Sequence, residues 1–281
     1  MNNMIGKVCL VTGANAGMGK VTARELAQMG ATVIMVARSQ VRGEAALDEI
    51  RQASNSDKVQ LLLADLSSMA SIRELADTVQ ANYGRLDVLV NNAGGIFNQR
   101  EVSVDGYEMT FALNHLNYFL LTNLLLDLLK ASAPARIVNV ASTAHVGAKI
   151  HFDDIMMAQK YRSFEAYGQS KLANILFTYE LARRLAGSGV TANALHPGGV
   201  ATEFATGQGF MGWIFKLIRP FLLTPEQGAQ TQIYLASSPD VEGISGKYFA
   251  KKKPVQSSKI SYDTAVAQRL WQLSEELTGL A

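Results

Sequence analysis

Short apolar runs recur along the chain, each bounded by residues that favour turns. They cover Val8–Val11, Thr32–Ala37, Val59–Ala64, Asp87–Asn91, Arg136–Val140 and Thr191–His196. The runs have the length of strands and lack strict alternation of apolar and polar positions, as expected for strands that are buried on both faces. They therefore predict the strands of a parallel sheet.

Amphipathic segments of helical length separate these runs. They are Lys20–Met29, Val41–Ala53, Met69–Tyr83, Thr110–Lys130 and Phe164–Ala186. Alternation of strands and helices over most of the chain predicts an α/β fold, a single doubly wound parallel sheet with helices on both faces. No linker, repeat or low-complexity tract divides the 281 residues, so we expect one domain over residues 1–281.

Composition and charge exclude several classes of protein. The 26 basic and 24 acidic residues nearly balance, so there is no electrostatic reason to expect a nucleic acid as partner. Cys9 is the only cysteine and the four histidines lack metal-site spacing, so we expect neither a disulfide nor a bound metal. The N-terminal residues contain neither an apolar signal core nor a spanning segment, which predicts a cytoplasmic protein.

A glycine-rich turn follows the first predicted strand. It contains Gly13, Asn15, Gly17, Met18 and Gly19, and the first predicted helix begins directly after it. Glycines there let a pyrophosphate reach the backbone N–H groups at the start of the helix. The spacing is G-x-x-x-G-x-G rather than the dinucleotide fingerprint G-x-G-x-x-G, and an ordinary glycine-rich turn is the alternative for this segment alone.

The end of the second strand bears on the choice of cofactor. A carboxylate at this junction would bind the ribose 2′-hydroxyl of NAD(H), but the chain has Arg38 there. A guanidinium can bind a 2′-phosphate through charge-assisted hydrogen bonds. We therefore predict NADP(H), with NAD(H) as the less favoured cofactor and an exposed arginine without a ligand as the alternative.

Later strand ends supply further candidate contacts. Asp65 and Leu66 follow the third strand, and Asn92, Ala93 and Gly94 follow the fourth. Ligands of open α/β sheets bind outside the carboxyl ends of the strands, so we expect all five residues to lie near the cofactor.

Tyr167 and Lys171 are four residues apart in a predicted helix, so their side chains leave the same face. A phenol has an ordinary pKa of about 10. A neighbouring ammonium group favours the phenolate and lowers that pKa, which brings the phenol into the range that a general acid/base needs. The pair is therefore the first candidate for catalysis.

Taken together, these motifs resemble the short-chain dehydrogenase/reductase family over essentially the whole chain. The resemblance rests on Thr12–Gly19, Asn91–Gly94, Asn114, Ser142, Tyr167–Lys171 and Pro197–Gly198, in that order. A narrower resemblance is to the retinol-dehydrogenase-like branch, which includes the oxidoreductase domain of WW-domain oxidoreductases. It is carried by Phe111–Thr122, Arg136–Val140, Ser170–Phe177, Glu180–Val190 and Leu270–Ser274, and by the long spacing from Ser142 to Tyr167.

The resemblance implies a role for each catalytic residue. Tyr167 would supply a proton to a carbonyl oxygen that Ser142 orients, while the nicotinamide delivers hydride to the carbon. Lys171 would bind the nicotinamide ribose and lower the pKa of Tyr167, and Asn114 would hold a water molecule in a proton relay.

The segment after the sixth strand would hold the nicotinamide. By the same resemblance, Pro197, Gly198, Val200 and Thr202 would anchor its carboxamide. The implied function is an NADP(H)-dependent oxidoreductase that interconverts a carbonyl and an alcohol on a small lipophilic substrate. A catalytically silent dinucleotide-binding redox sensor or scaffold is the alternative.

A long apolar segment, Gly209–Leu223, is interrupted by Lys216, Arg219 and Pro220 and is too short to span a bilayer. The resemblance implies that residues 203–224 cover the substrate. A subunit interface and a peripheral membrane contact remain alternatives. The resemblance also implies a homodimer or homotetramer built through the Thr110–Lys130 and Phe164–Ala186 helices. The basic run Lys251–Lys253 is interpreted as a solvated turn, and contact with an anionic membrane surface is the alternative.

Overall fold

The computed structural model describes residues 3–199 and 223–281. Its strands are β1 Val8–Thr12, β2 Thr32–Ala37, β3 Val59–Leu63, β4 Val88–Asn91, β5 Ala135–Val140, β6 Val190–His196, β7 Tyr248–Ala250 and β8 Lys253–Val255. They form one sheet in the order β3-β2-β1-β4-β5-β6-β7-β8. Neighbouring strands are parallel except for β7 and β8, which are antiparallel. The predicted doubly wound α/β fold is confirmed.

Helices cover both faces of this sheet. In the described part of the chain they are α1 Gly17–Gln28, α2 Gln40–Ser54, α3 Met69–Asn82, α4 Met109–Phe111, α5 Asn117–Leu124, α6 Leu126–Ala131, α7 Ser163–Arg184, α8 Pro225–Ser237 and α9 Thr264–Thr278. One apolar core lies between the sheet and α1, α2 and α8, and a second lies between the sheet and α3, α5 and α7. Helix α9 packs against α7.

Strand β1 shows why the apolar runs lack alternation. Leu10 packs into one core, whereas Cys9 and Val11 pack into the other, and all three are fully buried. A strand with a core on each side needs apolar residues at every position. Burial raises the pKa of the Cys9 thiol, which agrees with a packing role for this side chain.

The prediction of one continuous helix over Thr110–Lys130 was wrong. A π-helical turn, Ala112–Leu116, joins α4 to α5, and Leu125 separates α5 from α6. The π-turn contains Asn114, whose amide is bound by groups outside the helix, at Gly95 and Ser170. These contacts between distant parts of the chain leave no trace in helical periodicity.

Strands β7 and β8 were not predicted, because each has three residues and β8 contains Lys253 and Pro254. Lys251 and Lys252 form the turn between them with left-handed backbone angles, so the basic run is a turn that leads directly into β8.

The predicted substrate-covering segment lies almost entirely outside the described residues, as do Val200 and Thr202. Where the description resumes, the Leu223 N–H donates to the Gly199 carbonyl at 2.7 Å. Among the described helices, none combines the length and the apolar character needed to cross a bilayer.

A buried carboxylate joins the amino ends of β1 and β4. Asp87 accepts hydrogen bonds from Lys7 Nζ and the Val8 N–H, both at 2.9 Å, and from Arg85 Nε at 2.8 Å. Burial alone would raise the pKa of Asp87, but the hydrogen bonds from Arg85, Val8 and Lys7 hold it below the ordinary value. The opposite ends of the same two strands carry the candidate site.

We predict that Asp87→Asn destabilises the protein at pH 7 by about 1–3 kcal/mol, because the cations and the Val8 N–H lose their charged acceptor. The loss should lie toward the lower end, since Lys7 and Arg85 are 35% and 47% exposed. A depressed folded-state pKa contributes stability above the pKa of the unfolded carboxyl, near 4, and the contribution disappears as pH falls through the folded-state value. Urea unfolding of both proteins should therefore converge in acid.

The matched control is Asp127→Asn, which removes an exposed carboxylate 3.8 Å from Lys130 and should leave the urea midpoint unchanged. Equal effects of the two substitutions at pH 7 would contradict the role of Asp87.

Candidate active site

The candidate site lies where the strand order reverses, between β1 and β4. Thr12 at the end of β1 joins the two strands. Its hydroxyl oxygen accepts from the N–H groups of Asn92 at 2.9 Å and Ala93 at 3.0 Å. Asn92 Nδ2 in turn donates to the Thr12 carbonyl at 2.8 Å. The glycine turn and the loop after β4 are thereby held together.

The glycines of the turn are required by close backbone approach. Gly13 and Gly17 have positive φ angles of 66° and 54°, which favour glycine. A Cβ on Gly13 would lie 3.0 Å from Ala93 Cα, and one on Gly19 would overlap the Gly13 carbonyl and lie 2.6 Å from Asn92 Nδ2. The turn therefore packs directly on the loop after β4.

The amino end of α1 has the features of a phosphate site. Its N-cap residue, Ala16, offers no side-chain cap, whereas Ser39 and Ser68 cap α2 and α3. No side chain therefore caps the first N–H groups of α1, which include that of Met18 and come directly after Asn15 and Ala16, so they can bind an anion. This arrangement fits a pyrophosphate.

The other predicted cofactor residues occupy the same edge of the sheet. Arg38 is exposed directly after β2, and no described residue forms a hydrogen bond or ion pair with its guanidinium. Asp65 follows β3, where its Oδ1 accepts from the N–H and hydroxyl of Ser67 at 3.0 and 2.6 Å. Leu66 is buried beside it. Asp65 thus also shapes its own turn.

The segment after β6 reaches the edge through Pro197 and Gly198. Gly198 has a positive φ of 97°, and its N–H donates to His196 Nδ1 at 3.4 Å. Val200 and Thr202 continue this segment beyond the described residues.

Helix α7 buries Lys171, which is 4% exposed. Its Nζ donates to the Val140 carbonyl at 3.1 Å and lies 5.6 Å from the centroid of the Tyr167 ring. Burial lowers the pKa of Lys171 to about 7. An ammonium has three donors, and the Val140 carbonyl is the only acceptor that described residues provide. Unused donors at this position fit the hydroxyl groups of a ribose.

Tyr167 lies on α7, and Ser142 lies just beyond the end of β5. Burial raises the pKa of the Tyr167 phenol, and a hydrogen bond with Ser142 lowers it in part. The prediction that Lys171 lowers the pKa of Tyr167 is therefore wrong for the protein without a bound cofactor. The reason is that burial penalises the charged forms of the phenol and of the ammonium at once, an effect that helical spacing does not reveal.

Asn114 fixes the loop after β4 to the catalytic helix. Its Oδ1 accepts from the Gly95 N–H at 2.6 Å, and its Nδ2 donates to the Gly95 carbonyl and to Ser170 Oγ, both at 2.9 Å. A Cβ on Gly94 would lie 2.8 Å from Asn114 Oδ1, so glycine is needed for this approach.

Sequence reasoning missed Ser170, which lies between Tyr167 and Lys171. Its hydroxyl donates to the Tyr167 carbonyl at 2.8 Å while accepting from Asn114. Ser170 thereby links the Asn114 side chain to the backbone of the catalytic helix. The available signal was its place inside the Tyr-x-x-x-Lys motif.

The structure thus brings the glycine turn, the loop after β4 and the Ser142–Tyr167–Lys171 group to one edge of the sheet. The uncapped helix, the glycine contacts and the unused lysine donors together fit a dinucleotide. When bound, such a cofactor supplies hydride chemistry. Within the described residues there is no cluster of histidine, cysteine and carboxylate groups that could hold a metal ion.

Known proteins share this sequence and this fold. A family model described as short chain dehydrogenase matches residues 7–209. Mouse retinol dehydrogenase 12 is 46% identical over 275 residues, which cover 98% of this chain and 87% of that protein. Human retinol dehydrogenase 13 is 46% identical over 282 residues, which cover 98% of this chain and 85% of that protein.

Among solved structures, an uncharacterised protein from Mycobacterium paratuberculosis has a TM-score of 0.82 at 36% identity, covering 99% of this chain and 96% of that one. The active-site complex of Pseudomonas aeruginosa RhlG with NADP has a TM-score of 0.70 at 29% identity, covering 88% of this chain and 95% of that one. The chain therefore belongs to the short-chain dehydrogenase/reductase family, which uses NAD(P)(H), and to its retinol-dehydrogenase-like branch of oxidoreductases that act on CH–OH groups.

Proposed function

We propose that this protein is an NADP(H)-dependent oxidoreductase that interconverts an aldehyde or ketone and the corresponding alcohol on a small hydrophobic substrate. One observation carries the proposal: the buried Lys171 lies one helical turn from Tyr167, with its Nζ 5.6 Å from the centroid of the Tyr167 ring and bonded to the Val140 carbonyl at the end of β5. The bound nicotinamide would supply or accept the hydride. The residues of the chain would bind the cofactor and the substrate, orient the substrate oxygen and exchange the proton with it.

In the reductive direction, Tyr167 donates its phenolic proton to the substrate oxygen as negative charge develops there. Ser142 donates a hydrogen bond to the same oxygen and orients the carbonyl. The raised pKa of Tyr167 keeps the phenol protonated near neutral pH, which suits a proton donor. In the oxidative direction the phenolate is required, and a charged Lys171 beside the ring favours it.

The preference for NADP(H) is supported by Arg38. It lies exposed after β2 and is unpaired among the described residues, so its guanidinium is available to a 2′-phosphate. The NADP complex of the similar Pseudomonas protein is consistent with this preference. NAD(H) is the alternative cofactor.

Residence in the cytoplasm and assembly as a homodimer or homotetramer are further proposals.

Helix α9 restricts how such an assembly can form. Trp271 of α9 is buried against the rings of Phe119 and Phe177, at centroid distances of 4.9 and 5.7 Å. The surface of α5 and α7 under α9 is therefore occupied within the chain, and a second copy would use another face.

Removal of one hydroxyl tests the mechanism. Tyr167→Phe should lower kcat by a factor of about 100 to 10,000, as expected for loss of a general acid, and leave the Kd for NADPH unchanged. NADPH consumption would be followed with retinal, medium-chain aldehydes, steroids and quinones. Tyr83→Phe is the matched control, because that hydroxyl donates to Gln60 on the surface.

Full activity of Tyr167→Phe would refute the mechanism. A wild-type protein that binds NADPH but consumes none with any compound of the panel would instead favour a silent sensor or scaffold.

Charge reversal at Arg38 tests the cofactor. Arg38→Asp should raise the KM for NADPH by a factor of about ten to a hundred, because it removes charge-assisted hydrogen bonds of about 1.5–3 kcal/mol. The KM for NADH should fall, since a carboxylate can accept from the 2′-hydroxyl. Lys58→Asp is the matched control: it makes the same charge change directly before β3, at the amino ends of the strands and away from the candidate site. Equal shifts in the two variants would contradict a specific role for Arg38.

A further inference from the structure

His145 lies at the end of a short 3-10 turn, Thr143–His145, that begins directly after Ser142. We propose that His145 is a positioning residue, which holds the Ser142 backbone and thereby fixes the position of the serine hydroxyl. The inference rests on the proposed function, in which Ser142 orients the substrate oxygen.

The two ring nitrogens of His145 have different partners. Nδ1 lies 2.6 Å from the Ser142 carbonyl oxygen, and Nε2 lies 3.1 Å from the Ser258 backbone nitrogen. A carbonyl can only accept a hydrogen bond, so Nδ1 must carry the proton. A backbone N–H can only donate, so Nε2 must be unprotonated. The geometry therefore defines a neutral imidazole with its proton on Nδ1.

The ring is held in this orientation by packing. His145 is 1% exposed, and its ring lies edge-on to Tyr248 of β7 at a centroid distance of 5.1 Å. Burial lowers the pKa of His145, although the bond to the Ser142 carbonyl favours the protonated form. A buried neutral ring with both nitrogens satisfied fixes its neighbours, because rotation would break both hydrogen bonds.

Ser258 is itself anchored. Its carbonyl accepts from the Ser261 hydroxyl at 2.6 Å, and the adjacent Ser257 hydroxyl lies 2.8 Å from Tyr179 Oη on α7. His145 thus connects Ser142 to the segment between β8 and α9. The Ser142 hydroxyl itself accepts from the Ala144 N–H at 3.2 Å, within the turn that His145 ends. Displacement of that turn would therefore move the Ser142 hydroxyl together with the backbone that carries it.

Two amide substitutions separate the two hydrogen bonds. In His145→Asn the side-chain amide can replace Nδ1 and still donate to the Ser142 carbonyl. In His145→Gln the side-chain carbonyl can replace Nε2 and still accept from Ser258. If positioning acts through Ser142, His145→Asn should keep kcat within about threefold of wild type. His145→Gln should lose about tenfold to a hundredfold in kcat, with the KM for NADPH unchanged.

His151→Asn is the matched control. This histidine lies in the same connection between β5 and α7 but pairs with Glu165 at 3.1 Å, so its replacement should leave kcat unchanged. Equal kcat values for His145→Asn and His145→Gln in an active enzyme would overturn the positioning role of His145 and leave the proposed function intact. Absence of wild-type turnover with every compound of the panel would overturn the proposed function and the role of His145 with it.

A measurement on the wild-type protein tests the tautomer without any dependence on turnover. Long-range nitrogen–proton NMR at pH 7 reports the tautomer of each of the four histidines, and the signal that is missing in His145→Asn identifies His145. A neutral ring protonated on Nδ1 supports the inference. An Nε2-protonated ring or an imidazolium would overturn it.

Discussion

A buried cation without a buried anion is the constraint around which this site is built. Among the described residues, Lys171 is compensated by the Val140 carbonyl and by the faces of two aromatic rings, Tyr167 at 5.6 Å and Tyr118 at 5.8 Å. The stabilisation from one carbonyl and two ring faces is smaller than the free energy of removing an ammonium group from water. The lysine is therefore held near the balance between its two protonation states, with a pKa of about 7.

Such an arrangement requires rigid surroundings, and a buried polar network supplies them. Asn91 Nδ2 on β4 donates to Thr122 Oγ1 on α5 and to Asn139 Oδ1 on β5, both at 2.9 Å. Asn139 Nδ2 donates in turn to Thr178 Oγ1 on α7, also at 2.9 Å. Two strands and two helices are thus joined by directional bonds beneath the site, where low dielectric strengthens each bond. Apolar packing alone would define their spacing less sharply.

Local pattern was enough for much of this structure. The six longest strands begin and end within one residue of the apolar runs, since burial on both faces leaves a continuous signal. The spacing of Tyr167 and Lys171 placed both on one helix face, and the glycine turn was located by its position after β1.

The features that sequence analysis missed depend on contacts between distant residues. The π-turn at Asn114 follows from hydrogen bonds to Gly95 and Ser170, and the raised pKa of Tyr167 follows from burial by several elements. The contact of His145 with Ser258 was missed because the two residues are far apart along the chain. Strands β7 and β8 are too short for any periodicity to show.

The last strand of the sheet has a consequence for behaviour at high concentration. Strand β8 lies at an outer edge, where open N–H and C=O groups would invite another strand. Its exposed residues include Lys253 and Pro254. Proline has no N–H group to donate to an added strand, and pairing of two β8 strands would bring their lysine charges together. Strand β8 is thereby disfavoured as a site for edge-to-edge pairing with another molecule.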